Sequence, residues 1–217
     1  LHYGIHERSS GIYEASIDVN TSKVLSPLKE LPSRFRTWII ARTLSPNGRF
    51  LAFSRGDKEG FQVEDLKTGQ LQEISFSPGV HSFQWPVWSA DSRQFVVHGW
   101  TDDTQNGLHL VDATTGETTA IAVAEPGSET RFHWLGFVGE IGRYLRWDRV
   151  PKKLALVRHN LRHGTKHELE IPNMPDQSGV MFWRSFVPSP DDRHLFYIRR
   201  TPEGASVTNW IAVRRDL

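Results

Sequence analysis

His159, His163 and His167 lie four residues apart, the spacing in this 217-residue chain most suggestive of metal chemistry. On a helix that spacing lets imidazoles converge on one cation. Here the three straddle "NLRHG", which reads as a β turn, so they are expected to diverge, and the chain has no cysteine to complete a site. "TDDTQNG" from Thr101 is oxygen-rich but lacks the alternating ligand spacing and distal glutamate of a calcium loop. Asp102–Asp103 and Asp191–Asp192 are sequence neighbours, the second pair inside a predicted turn, and make poor candidates for a catalytic pair. A Gly-x-Ser-x-Gly elbow, a phosphate-cradling Gly-Lys-Ser/Thr loop and a His-Glu-x-x-His pair are all missing. The expectation is a non-enzymatic chain with no metal and no cofactor.

Two groupings suit binding better than catalysis. Trp38, Trp85, Trp134 and Trp183 each precede or open an apolar run, with Arg36, His81, His133 and Arg184 beside them. Aromatic rings and arginine are favoured at interface hot spots. The second grouping is basic: Arg143, Arg146, Arg149, Lys152, Lys153, Arg158, Arg162 and Lys166, with only Asp148 opposing them locally. A strand alternates its faces, so these charges cannot share one surface, and nucleic acid is disfavoured as a partner.

Composition agrees with an ordinary globular chain, 38% hydrophobic and 24% charged, with a net charge of +1 that sets up no strong field. No apolar run is long enough for a membrane span. Lack of cysteine excludes disulfides and thiolate sites without choosing a compartment, and the periplasm is favoured over the cytoplasm. The chain starts at Leu1 with no signal-peptide pattern, the expectation being a removed leader or an excised piece.

The elements that must position these residues follow from repetition. Asp18, Asp65, Asp112 and Asn160 each open an Asx-x-x-x-Gly/Ser segment, ending at Ser22, Gly69, Gly116 and Gly164, and are separated by 47, 47 and 48 residues. A second register, "SPNGRFLAF" from Ser45, "SADSRQFVV" from Ser89, "VGEIGRYLRW" from Val138 and "SPDDRHLFY" from Ser189, places Arg49, Arg93, Arg143 and Arg193 at separations of 44, 50 and 50. Apolar runs rich in β-branched and aromatic residues flank each turn, and an Asx side chain with a following Gly can close a hairpin. No segment has a helical apolar period. Each unit therefore reads as four antiparallel strands, A to D. A four-stranded unit repeated every 40 to 50 residues or so suits a β-propeller blade.

Ser45-Pro46-Asn47-Gly48-Arg49 followed by Asp65-Leu66-Lys67-Thr68-Gly69 resembles the TolB-like (WD40-like) propeller repeat, found in the propellers of TolB, tricorn protease and prolyl oligopeptidases. The other copies are looser: Ser189 to Arg193 lacks the Gly, Ser89 to Arg93 lacks both Pro and Gly, and 138–143 keeps little beyond Gly142-Arg143. The fold expected is all-β, a β-propeller with about four to five blades present: a partial blade at 1–30, blades at about 35–77, 80–125 and 130–172, and a partial blade at 180–217. Both partial blades contain strand C. The leading expectation is an incomplete portion of a six- to eight-bladed propeller, and the rival is a small ring of about five blades sealed by the partial ones.

In such a fold the recurrent turns share one end, and the B–C loops of variable length, "SRGDKEG", "GWTDDTQNG", "WDRVPKK" and "RTPEGASVTN", share the other, where binding usually resides. Strand A lies nearest the channel, so the tryptophans and their basic neighbours could form a rim for a peptide, an acidic side chain or a sugar. Alternatively they fill the wedge between blades. The resemblance implies a non-catalytic scaffold or sensor of a TolB-like bacterial protein, binding a protein or peptide on its loop face, with further domains possible in the parent chain. The alternative it implies is the substrate-gating propeller of a prolyl-oligopeptidase-like serine peptidase whose hydrolase domain is absent here.

Overall fold

The computed structural model describes residues 13–18, 20–30, 39–55, 60–76, 80–101, 106–171, 186–189, 193–200 and 210–216. Its strands are β1 (Tyr13–Glu14), β2 (Ile17–Asp18), β3 (Lys23–Val24), β4 (Lys29–Glu30), β5 (Ile39–Leu44), β6 (Phe50–Arg55), β7 (Phe61–Asp65), β8 (Gln70–Ile74), β9 (Val80–Trp88) and β10 (Gln94–Thr101). They continue with β11 (Asn106–Asp112), β12 (Thr118–Val123), β13 (Thr130–Val138), β14 (Ile141–Asp148), β15 (Lys153–Asn160), β16 (Lys166–Ile171), β17 (Val187–Pro188), β18 (His194–Arg200) and β19 (Trp210–Asp216). Three four-stranded sheets run in strand order β5-β6-β7-β8, β9-β10-β11-β12 and β13-β14-β15-β16, followed by a three-stranded sheet β17-β18-β19. Among the described residues the strand pairings are antiparallel and join neighbours in sequence, apart from β1 with β4, which pair antiparallel around the β2–β3 hairpin. Two compact units divide the chain, Leu1–Asp102 with His109–Ala120, and Asp103–Leu108 with Ile121–Leu217.

The hairpin between the third and fourth strands of each sheet is built by one side chain. Asp65 Oδ1 accepts hydrogen bonds from the main-chain N–H groups of Lys67 (2.9 Å) and Thr68 (3.3 Å), while the Gly69 N–H donates to Asp65 O (2.7 Å) at a φ of 70°. Asp112 does the same for Thr114 (2.8 Å) and Thr115 (2.9 Å), closed by Gly116 at φ 75°. Asn160 repeats it with Arg162 (3.0 Å) and His163 (2.9 Å), and Asp18 with Asn20 (2.9 Å) and Thr21 (3.3 Å). An Asx oxygen satisfies two N–H groups that the sheet leaves unpaired, which is why the residue type recurs. Asp18 and Asp65 are held below the ordinary carboxylate range, Asp18 chiefly by the Thr21 hydroxyl and Asp65 chiefly by Arg49.

The hairpin between the first two strands follows a second rule. Ser45 Oγ donates to Asn47 Oδ1 (2.7 Å) and accepts from the Phe50 N–H (2.9 Å). Ser89 repeats this with Asp91 (2.6 Å) and Gln94 (3.1 Å), and Ser189 accepts from the His194 N–H (2.9 Å). The two hairpins are tied together at one end of each sheet, through Leu66 N–H to Arg49 O (2.8 Å), Ala113 N–H to Arg93 O (2.8 Å) and Leu161 N–H to Glu140 O (3.0 Å). In the first sheet Arg49 adds a two-pronged ion pair to Asp65 Oδ2, at 3.1 and 2.8 Å.

These links correct one expectation. Glu140, not Arg143, occupies the position of Arg49 and Arg93, because Val138 pairs with Ile141 around a two-residue turn at Gly139-Glu140. Arg143 instead lies within β14 and is buried. The shorter turn displaces the register by three residues, which spacing alone could not reveal.

Apolar side chains from β6, β7 and β8 interleave with those of β10 and β11. Ala52, Phe61, Val63 and Ile74 meet Trp88, Phe95, Val97, Val111 and Ala113 in one cluster. Phe95 is tilted against Trp88 (ring centroids 4.8 Å apart) and Phe61 (5.7 Å), and the Trp88 indole N–H donates to Thr43 O (3.3 Å). On β13–β16, one face carries Leu145, Leu154, Leu156 and Ile171, which pack with Phe186 and Leu195.

Candidate functional site

Of the eight residues expected at a binding rim, Arg36, Trp38, Trp183 and Arg184 lie outside the described residues. His81 and Trp85 are placed by backbone alone, within β9, where His81 pairs with Trp100. His133 and Trp134 are described fully and sit side by side on β13, so they point to opposite faces of the sheet. The Trp134 indole stacks on Tyr144 (6.3 Å, 17°), meets Phe137 edge-on (5.0 Å) and lies over Gly142 so closely that a Cβ there would collide with its ring. Its Nε1 is buried without a hydrogen-bond partner among the described residues. Those contacts place the Trp134 ring inside the sheet's packing. The turn residues Asp18, Asp65, Gly69, Asp112 and Gly116 are all in the hairpins described above.

The histidine triplet diverges for a register reason. His159 pairs with Lys166, and Arg158 with His167, so His159 and His167 face opposite sides of the sheet while His163 is exposed in the turn. His159 is buried, and burial first, then the Lys166 charge, push its pKa below the ordinary imidazole value. The segment 102–105 and the pair Asp191–Asp192 lie outside the described residues.

The basic stretch turns out to be laced with carboxylates, all but Asp148 from distant positions. Arg146 bridges Asp148 (3.2 Å) and Glu168 (2.5 Å), Arg149 meets Glu129 (3.0 Å), Lys153 meets Glu170 (2.6 Å) and Arg162 meets Glu140 (3.1 Å). None of these glutamates adjoins its partner in sequence. Antiparallel register brings them together, for example by setting Asp148 opposite Lys153 and Val157 opposite Glu168.

A concavity of about 310 Å³ lies between 122–125 at the end of β12 and the polar face of β13–β16. Alternation puts Thr130, Phe132, Tyr144, Arg146, Asp148, Lys166 and Glu168 on this face. Asn106 fixes the two walls. Its Nδ2 donates to Thr130 O (2.5 Å), its Oδ1 accepts from the Phe132 N–H (3.1 Å), and its carbonyl accepts from the Ala124 N–H (2.9 Å). Thr130 Oγ1 donates to Asp148 (2.8 Å), and the Lys166 ammonium donates to Ile121 O (3.3 Å). Tyr144 is buried, and desolvation, with the Glu168 charge adding to it, raises its pKa to about 12, so its hydroxyl stays protonated. Sequence reading passed over both Asn106, which sat in an apparent loop, and this cleft.

A repeating four-stranded antiparallel sheet with both hairpins locked at one end is a propeller blade. No protein-family model matches the chain and no curated protein matches it. Solved structures show which propeller it resembles. TolB from Acinetobacter baumannii superposes with a TM-score of 0.53 at 15% identity, over 88% of this chain and 43% of that one. A candidate TolB from Agrobacterium tumefaciens gives 0.55 at 14%, over 94% and 67%. A chain of a nidogen/laminin complex gives 0.53 at 10%, over 88% and 67%. The fold is therefore an all-β, TolB-like propeller, and the chain spans less than half the length of the Acinetobacter protein. Among the described residues, no helix is long and apolar enough to cross a membrane.

Proposed function

We propose that this propeller is a non-catalytic scaffold that binds a protein or peptide through the loops at the end opposite its Asx turns. The supporting observation is the contrast between the two ends. At the turn end, the Asx and serine side chains are occupied by their own backbone in every described copy. At the other end the one fully described B–C connection, Arg149 to Lys152, presents Val150 at 83% exposure beside Arg149 and Pro151. Val150 offers apolar area for a partner to cover, beside an arginine, a residue type favoured at interface hot spots. That one of the structural neighbours is part of a nidogen/laminin complex accords with this reading.

Selection of displayed peptides on the whole chain, followed by NMR mapping of the selected sequences, tests it. The expectation is line broadening confined to 148–153 and the other B–C loops, with binding weakened by Val150→Asp. Failure to select a peptide, or broadening at the Asp65 and Asp112 turns, would contradict it.

A further inference from the structure

The cleft between β12 and the face of β13–β16 is not used by the loop-end reading, and its chemistry points elsewhere. Its walls hold three carboxylates, Asp148, Glu168 and Glu125, and two cations, Arg146 and Lys166. Arg146 already bridges Asp148 and Glu168. A ligand charge paired with Arg146, Asp148 or Glu168 would have to break that bridge, leaving a partly buried charge without its partner, which is costly. Lys166 and Glu125 remain, one of each sign, so the five groups together carry a single net negative charge, and the cleft makes only a weak demand for ligand charge. It makes a large demand for hydrogen bonds instead.

Three groups supply that demand. The Tyr144 hydroxyl lies in the cleft lining and makes no hydrogen bond among the described residues, although its ring is packed between Phe132 (6.0 Å, edge-on) and Trp134. Val123 lies on the outermost strand of its sheet. Because the Ala124 N–H turns inward to Asn106 and the Ile121 carbonyl turns outward to Lys166, alternation turns the Val123 N–H and C=O outward too, toward the cleft. The oxygens of Asp148 and Glu168 are held in place by Arg146 but keep lone pairs to spare. Fixed acceptors, fixed donors and an aromatic floor, held by the Asn106 staple, suit vicinal hydroxyl groups on a ring with an apolar C–H face. The volume of about 310 Å³ is at the small end of the range for ligand pockets.

We propose that this cleft binds a neutral, polyhydroxylated ligand of saccharide size. The test is calorimetry and saturation-transfer NMR on the whole chain, with glucose, galactose, mannose and N-acetylglucosamine as neutral probes, and galacturonic acid and arginine amide as charged comparators. At least one neutral probe is expected to bind, more tightly than either comparator. Tyr144→Phe, which keeps the ring packing, and Glu168→Gln, on an exposed strand, are each expected to weaken it about five- to tenfold, the worth of one hydrogen bond. Thermal melts establish that each variant is folded, and if one is not, the other decides. Three results would overturn the proposal: no binding by any neutral probe, tighter binding of a charged comparator, or unchanged affinity in both folded variants.

Discussion

Two faces that the repeat would make equivalent are built from opposite chemistry. In the first unit, Ala52, Phe61, Val63 and Ile74 close on Trp88, Phe95, Val97 and Val111 with almost no accessible surface. In the second, the corresponding face of β13–β16 carries Tyr144, Arg146, Asp148, Lys166 and Glu168, and stays open enough to leave a cleft. The turn links make Arg93 equivalent to Glu140, so Phe95 and Val97 of the apolar seam correspond to Gly142 and Tyr144. The missing Phe95 ring is replaced there by Trp134, which reaches over Gly142 from β13. A repeated backbone thus fixes where a face lies but not what it does. The apolar seam suits stability, whereas the charged face suits specific hydrogen bonding to something small.

Emptying the seam should have the largest effect. Phe95→Ala removes a ring with no exposed surface and should lower unfolding free energy by about 3–5 kcal/mol in a denaturant titration. Arg146→Met, on the charged face, strands Asp148 and Glu168. Because the Arg146 side chain is 28% exposed, solvent softens the penalty to about 1–2 kcal/mol, with a dependence on salt that Phe95→Ala should not show. Asp112→Ala deletes the acceptor for two main-chain N–H groups and should cost about 1 kcal/mol by thermal unfolding.

Titration offers a finer probe, since among the described residues each region contains one buried histidine. His109, edge-on to Phe76, and His159, beside Lys166, both have pKa values lowered below 6.5 by burial. A lowered histidine pKa means the folded state binds fewer protons. Its contribution is complete above the unfolded pKa of 6.5 and is lost as pH falls through that value toward the folded one. Stability measured across mildly acidic pH should therefore fall, and His159→Gln should flatten the part owed to the charged face. Asp65 and Asp91, held below the ordinary carboxylate range by Arg49 and Ser89 respectively, add a second loss only further into acid, below 3.8. Smallest of all, Arg93→Ala should change stability by less than about 0.5 kcal/mol, because its contact with Asp91 is 3.9 Å long and exposed.

The sheet order and both hairpin types were legible in the sequence because they rest on local bonds. Asp65, Asp112 and Asn160 each satisfy N–H groups two and three residues ahead, and Ser45 and Ser89 bond two and five residues ahead, so residue type and spacing carry the geometry directly. Arg143 was misplaced because counting residues is blind to a turn that shortens, as it does at Gly139-Glu140. The basic stretch looked unopposed because its partners arrive by register: Glu140 and Glu168 each lie 22 residues from the arginine they bond. Asn106 was hidden for the same reason, its bonds reaching 24 and 26 residues ahead to a strand that sequence alone does not place beside it.

Native-state amide hydrogen exchange tests most directly the claim that the apolar seam holds the fold while the charged face is adapted for binding. Amides of Phe61, Val63, Phe95 and Val97 should exchange only through global unfolding, while those of Ala122, Val123 and Ala124, bordering the cleft, should exchange by smaller local openings of lower free energy. Equal protection in the two regions, or slower exchange around the cleft than in the seam, would contradict it.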